Sequence, residues 1–341
     1  MLESKYKERE FLSQYDLDIE LFRRFNLDVV DVVPVRKVFV VVTSSREYIL
    51  KRLDYGEDKI DFIYDALEYV KAHGFHRVIN YVAGVDGKIL QYYKGETYCV
   101  MELVDGRESS YTNPVEVSIS AQGMAELHKA SKGYNTVYDE FDNRNKLKDS
   151  FNKQIDEIMD IKDMVKHFSV KNQFDTLVVN NVDKFLEKAF LALSYLEKSN
   201  YNEIVKCQEK VALCHHDLAY HNILIKDNKA NFIDFDYAIV DIKVHDVANY
   251  IMKVIKNFAF SFEKCQDIID EYKKNYVLYD DEINLLYIML LFPNRVFSLI
   301  KSYYYKEKQW EYNVFLNRLN EKFIMYGEEE EFLNKFKSRL L

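Results

Sequence analysis

Glycine and proline are scarce in this chain of 341 residues, at nine and three. That scarcity excludes collagen-like, linker-rich and repeat-turn architectures. Four cysteines form no C-x-x-C pair, which argues against a zinc ribbon or a dithiol redox site and fits reduced thiols in a cytoplasmic-type compartment. There is no basic excess either. Lys and Arg number 47 against 56 Asp and Glu, for a net charge of −9, so no broad basic face and no nucleic-acid partner are expected. Long hydrophobic runs are missing: the longest, residues 285–292, stops at Pro293, short of the roughly 20 residues of a spanning helix, and no membrane partner is expected. Residues 1–10 have no apolar core and do not read as a secretory signal.

What is present is a hydrophobic content of 48%, with 27 Tyr and 23 Phe. A chain of this size can bury a sizeable core, organised as about two domains. Leu17, Leu21, Phe22 and Phe25 fall at helical spacing. Three β-branched and aromatic runs follow, at 29–33, 38–42 and 47–51, with breaks at Pro34-Val35-Arg36-Lys37 and Thr43-Ser44-Ser45-Arg46, and they predict an antiparallel meander. Helical spacing returns over 58–73 and Gly74 is a stop signal. Two more strands are expected at 89–93 and 97–103. From Asn113-Pro114, read as an N-cap and first helical residue, the chain is mostly helical. One interruption stands out: strand-like runs at 211–214, 223–225 and 230–235, with a turn at Asp227-Asn228. The fold class is therefore α+β: a small antiparallel-sheet lobe with one helix over 1–104, then a larger, mainly helical lobe over 105–341.

The polar residues cluster at that interruption. His215-His216-Asp217-Leu218-Ala219-Tyr220-His221-Asn222 is followed, after the hairpin, by Ile233-Asp234-Phe235-Asp236. Phosphoryl transfer needs a carboxylate at the attacking hydroxyl and oxygen ligands for Mg²⁺ beside the nucleotide phosphates. The ordered set H-x-D-x-x-x-x-N, hairpin, I-D-F-D supplies both, and is far more specific than either aspartate alone.

These motifs resemble the catalytic and metal loops of the aminoglycoside phosphotransferase/choline-kinase superfamily, relatives of the protein kinases. More narrowly, Glu126-Leu127-His128-Lys129-Ala130-Ser131, the 214–224 loop and Phe292-Pro293 with Tyr303-Tyr304-Tyr305 resemble the CotS-type spore coat kinase-like proteins. The resemblance implies a bilobal protein-kinase-like fold, with ATP and Mg²⁺ as cofactors. It makes Asp217 the catalytic carboxylate and Asn222 and Asp234 the metal ligands. Lys51, in Tyr48-Ile49-Leu50-Lys51, would contact the nucleotide phosphates. Glu102 and Val104, in the Val100-Met101-Glu102-Leu103-Val104 segment, would meet the adenine edge through their backbone. His215 would hold the loop, and Asp246 would either brace it or cap a helix. The implied partners are a small-molecule or protein hydroxyl acceptor and other spore coat proteins.

Three departures qualify the likeness. No glycine precedes Gly56, so the turn between the first two strands is not a glycine-rich phosphate clamp. The helix that should offer Lys51 a glutamate has Phe62-Ile63 there, flanked by Glu57 and Glu68. Ala219-Tyr220-His221 replaces the superfamily's common His-Pro-Gly, so no drug-like or choline acceptor follows. Two readings stay open: an ATP/Mg²⁺-dependent phosphotransferase, and a catalytically weak or inactive kinase-like assembly component of the coat.

Overall fold

The structure is a computed structural model that describes residues 17–341; the reading of residues 1–10 lies outside the described residues. The chain divides into two compact units. One takes the described residues through Ser109 together with Tyr220–Asp236, and the other takes Ser110–Ala219 and Tyr237–Leu341.

In the sheet-bearing unit, α1 (Ile19–Arg24) is capped by Asp18, whose carboxylate accepts the Glu20 N–H at 2.7 Å. Strands β1 (Val29–Val35), β2 (Val38–Thr43) and β3 (Glu47–Leu53) form the expected meander. β1 runs through Pro34 and Val35, so the turn shrinks to Arg36 and Lys37 rather than starting at Pro34. Proline is tolerated because β1 is an edge strand of its sheet, next to β2. Helix α2 (Glu57–Ala72) buries Ile60, Phe62, Ile63, Leu67 and Val70, and Gly74 ends it at φ +89°. β4 (Tyr81–Val82), β5 (Leu90–Tyr93) and β6 (Glu96–Glu102) complete the sheet. Leu21, Phe22, Phe25, Val32, Val41, Leu50, Tyr98 and Val100 form its core, each burial stabilising by about 1.5–3 kcal/mol.

The remaining strands are β7 (Arg107–Glu108), β8 (Val211–Cys214), β9 (Ile223–Lys226), β10 (Lys229–Phe232) and β11 (Ile239–Ile242). β9 and β10 form a hairpin whose turn residues, Asp227 and Asn228, both take positive φ (50° and 55°), as a tight two-residue hairpin requires. This hairpin belongs to the sheet-bearing unit because β7 pairs with β9. Further ties are the Phe232 N–H donating to the Arg77 carbonyl (2.9 Å) and the Phe75–Phe232 ring pair. Gly106 makes the approach of β7 possible: its φ is +154°, and a Cβ there would meet the Leu224 Cβ at 3.1 Å.

The helical unit holds α3 (Pro114–Ala130), capped as expected by the Asn113 side chain accepting the Val115 N–H. α4 (Leu147–Lys166), α5 (Gln173–Lys198) and α6 (Tyr201–Ile204) follow, and β8 pairs with β11 rather than with the β9–β10 hairpin. Helices α7 (Val244–Ile255), α8 (Phe262–Lys273), α9 (Asp280–Leu291), α10 (Asn294–Tyr304), α11 (Tyr312–Ile324) and α12 (Tyr326–Leu340) complete the unit. The expected ring packing is present: Phe151 stacks on Phe292 (3.8 Å), Phe174 on Tyr303 (4.0 Å) and Phe185 on Phe323 (5.3 Å). Asp280–Tyr304 is long and apolar enough by composition to cross a membrane, but 72% of its apolar window is buried in this unit and Phe292-Pro293 interrupts it.

Candidate active site

The last hairpin pair, Ile223 with Phe232, places Asn222 and Ile233 side by side, and the Asn222 carbonyl accepts the Ile233 N–H at 3.0 Å. One residue further, Asp234 turns through a left-handed conformation (φ +63°). Lys51, on β3, donates from Nζ to Asp234 Oδ1 at 2.7 Å and to Asp236 Oδ2 at 2.6 Å. Burial works against the Lys51 charge, but Asp236 and Asp234 outweigh it and hold its pKa above the ordinary lysine value. The Tyr55 hydroxyl donates to Asp236 Oδ1 at 3.0 Å. Burial and that carboxylate push the Tyr55 phenol far up, so it stays a donor.

Lys51 therefore has two carboxylate partners, and neither comes from α2. Glu68 pairs with Lys71, and Glu57 accepts from the Tyr92 hydroxyl. Phe62 and Ile63 are core residues. The position that a helix glutamate would fill is taken by Asp236, the second acid of I-D-F-D. The sequence displayed that residue two places after Asp234, but nothing local indicated that it would turn to the same lysine.

Asp217 lies in the helical unit, on the loop that leaves β8. Asp246, in the first turn of α7 and fully buried, holds this loop by its backbone. Its Oδ2 accepts the His215 N–H at 2.6 Å and its Oδ1 the His216 N–H at 2.8 Å. His128 Nε2 lies 3.3 Å from Oδ2, and His128 Nδ1 bonds the Tyr272 hydroxyl. Burial alone would raise the Asp246 carboxyl; His128, with His216 and His215, outweighs it and holds the group far below the usual carboxylate range. Of the two roles open to Asp246, bracing is the one observed, since the helix cap position is Lys243. His215 holds the loop as expected, its Nδ1 accepting the Asp217 N–H at 3.3 Å.

Sequence reasoning missed Lys253. Its Nζ donates to Asp217 Oδ1 at 2.5 Å. A signal existed: Lys253 follows Asp246 by seven residues, two helical turns, so both project from one face of α7. Glu102 ends β6 with its carboxylate on Arg46 (2.7 Å) and Asn80 (3.0 Å), and its N–H donates to the Asn80 carbonyl. Val104 sits two residues on, half-buried, before β7.

The structure thus brings Lys51, Asp234 and Asp236 together, with Asn222 at the same hairpin end. One ammonium against two carboxylates leaves this group a charge of −1. The donors that accompany it, Asn222 and the Asp234 carboxylate, are oxygens. Such a set fits a small hard cation better than a soft metal.

An antiparallel sheet unit that carries Lys51 on a strand and holds the I-D-F-D turn, together with a mainly helical unit that carries the H-x-D loop, defines the protein-kinase-like fold of the aminoglycoside phosphotransferases and choline kinases. Solved structures agree. An aminoglycoside phosphotransferase from Alicyclobacillus acidocaldarius superposes with a TM-score of 0.83 at 16% identity, over 95% of this chain and 96% of that one. The spectinomycin phosphotransferase APH(9)-Ia, in complex with ADP and spectinomycin, gives 0.68 at 14%, over 94% and 97%. A choline kinase from Cryptosporidium parvum gives 0.57 at 15%, over 95% and 98%. Within that class the chain belongs to the family described as "Spore coat putative kinase YutH", whose model matches residues 19–336. It is 23% identical over 287 residues to the endospore coat-associated protein YutH of Bacillus subtilis strain 168, covering 82% of this chain and 80% of that protein.

Proposed function

We propose that this chain binds ATP with Mg²⁺ and transfers the γ-phosphoryl group to a hydroxyl on a small molecule or a protein, as a component of the spore coat. The observation that carries this reading is the Lys51–Asp234 ion pair at 2.7 Å, at the hairpin end that also holds Asn222. Lys51 and Asp234, which this reading makes the phosphate lysine and a metal ligand, are paired there although 183 residues separate them. Lys51 leaves Asp234 for the nucleotide phosphates and remains tethered by Asp236. Asn222 and Asp234 would hold Mg²⁺, which would supply positive charge to offset the negative charge on the phosphoryl oxygens. Asp217 orients the acceptor hydroxyl and takes its proton as the oxygen–phosphorus bond forms; the bond to the β-phosphate oxygen breaks and ADP leaves. Lys253 fixes the position of the Asp217 carboxylate.

One observation favours the assembly reading instead. The β1–β2 turn is short and glycine-free, and Arg36 at its tip is engaged by Glu108 at 2.7 Å, which gives phosphate a less open cradle. Incubation with γ-labelled ATP and coat extract separates the two. Transfer that falls about 10²- to 10⁴-fold in Asp217→Ala supports phosphotransfer. No transfer above that variant's level, with ATP still bound, supports the assembly role.

A further inference from the structure

Two side-chain clusters of the helical unit bring three ligand-type atoms within 4.8 Å of one another. The first, His128 with Cys214 and Asp246, is already committed. Both His128 nitrogens are bonded, to Tyr272 and Asp246, and both Asp246 oxygens accept loop N–H groups. Burial, with the Asp246 and Asp241 carboxylates adding to it, drives the Cys214 thiol well above its ordinary value, so it offers no thiolate. All three side chains are sealed from solvent.

The second cluster contains no cysteine, and its two histidines are only partly buried. His216 comes from the loop after β8, Asp241 from β11 and His245 from the first turn of α7. His245 Nδ1 lies 2.8 Å, and His216 Nε2 3.3 Å, from the same oxygen, Asp241 Oδ2. The two rings stand edge to face with centroids 4.3 Å apart. Donors around a tetrahedral ion with bonds of about 2.0–2.1 Å are roughly 3.3 Å apart, so shifts of a few tenths of an ångström suffice at the two nitrogen–oxygen pairs. The carboxylate is oriented from behind: Asp241 Oδ1 accepts the Ile242 N–H at 2.7 Å. Asp241 is 3% exposed, whereas the His216 and His245 side chains are 17% and 26% exposed. The ring edges therefore give an ion a way in and leave positions for water. His245 also borders a cavity of about 200 Å³ lined by Ser150, Gln154 and Asn249.

We propose that His216, Asp241 and His245 bind one divalent transition-metal ion of the zinc type, with two imidazole nitrogens, one carboxylate oxygen and water completing the shell. Two nitrogen ligands select against Mg²⁺, which takes oxygens, so this site is chemically separate from Asn222 and Asp234. Binding turns the imidazole nitrogens that now face Asp241 into metal ligands and replaces those hydrogen bonds with metal bonds. Because His216 immediately precedes Asp217, a filled site ties the catalytic loop to β11 and α7.

The test titrates chelator-treated, full-length protein with Zn²⁺ by calorimetry in millimolar Mg²⁺, and with Co²⁺ by absorption. The expected result is one equivalent at micromolar Kd or tighter, with a tetrahedral Co²⁺ spectrum free of thiolate charge transfer. Saturating Zn²⁺, but not added Mg²⁺, should raise the Tm by roughly 5 °C. Affinity should fall about 100-fold in His245→Ala, and likewise in His216→Ala should the first variant fold poorly. No saturable binding by the wild-type protein overturns the proposal. So does a cobalt–thiolate band, or equal affinity in wild type and a folded variant.

Discussion

Replacing Asp246 with alanine strips the acceptor from the His215 and His216 N–H groups and from His128. His215 and His128 are fully buried, so water cannot substitute there. Each orphaned buried donor costs about 1–3 kcal/mol, and the expected loss is about 3–5 kcal/mol, the scale of breaking a buried charge pair. Asp246→Asn keeps one acceptor oxygen and should lose about half as much. The assay is urea unfolding at pH 7 followed by circular dichroism, with m-values compared to confirm that ΔG alone has moved. The same pair of proteins carries a pH signature. The native Asp246 carboxyl is held below the usual range, so its contribution is full above its unfolded pKa of about 3.9 and is lost as pH falls through the folded value. The gap between wild type and alanine variant should therefore be constant above about pH 5 and narrow below about pH 4. A loss under about 1 kcal/mol at pH 7, or a gap that widens with acid, would refute the bracing argument.

Thiol labelling and backbone strain give two further outcomes. Burial pushes Cys99 up to about 12 and holds Cys214 and Cys265 well above the ordinary thiol value, whereas Cys207 is only half-buried. A native labelling assay at pH 8 should thus modify at most Cys207, and rapid modification of a second thiol would contradict the described packing. Gly106→Ala puts a Cβ at φ +154° against Leu224 and should cost roughly 1–3 kcal/mol by strain at the β7–β9 pairing. An unchanged unfolding midpoint would show that β7 does not dock as described.

Local signals in the sequence carried much of the fold. The β-branched meander, the Gly74 stop, the Asn113-Pro114 helix start and the Asp227-Asn228 turn each depend on neighbours along the chain, and each appears where its residues predict. The non-local pairings were hidden. β7 is two residues long and acquires strand character only from β9, more than a hundred residues away, and β8 finds β11 by the same long-range logic. Pro34 read as a break because the edge position that tolerates it is a property of the whole sheet. At the site, the motif spacing singled out Asp217, Asn222 and Asp234 as candidates, and the family resemblance added Lys51, but neither pointed to the partners that the side chains take. Asp236 in place of a helix glutamate and Lys253 on Asp217 are choices of tertiary packing.

The central claim is that Lys51, Asn222 and Asp234 serve a metal-bound nucleotide. Calorimetric titration of the purified chain with a non-hydrolysable ATP analogue, with and without Mg²⁺, tests it most directly. The account predicts saturable binding that strengthens with Mg²⁺, falls about tenfold or more in Lys51→Met, and loses its Mg²⁺ dependence in Asp234→Ala. No binding by the folded wild-type protein, or binding indifferent to Mg²⁺ and to both substitutions, would contradict it.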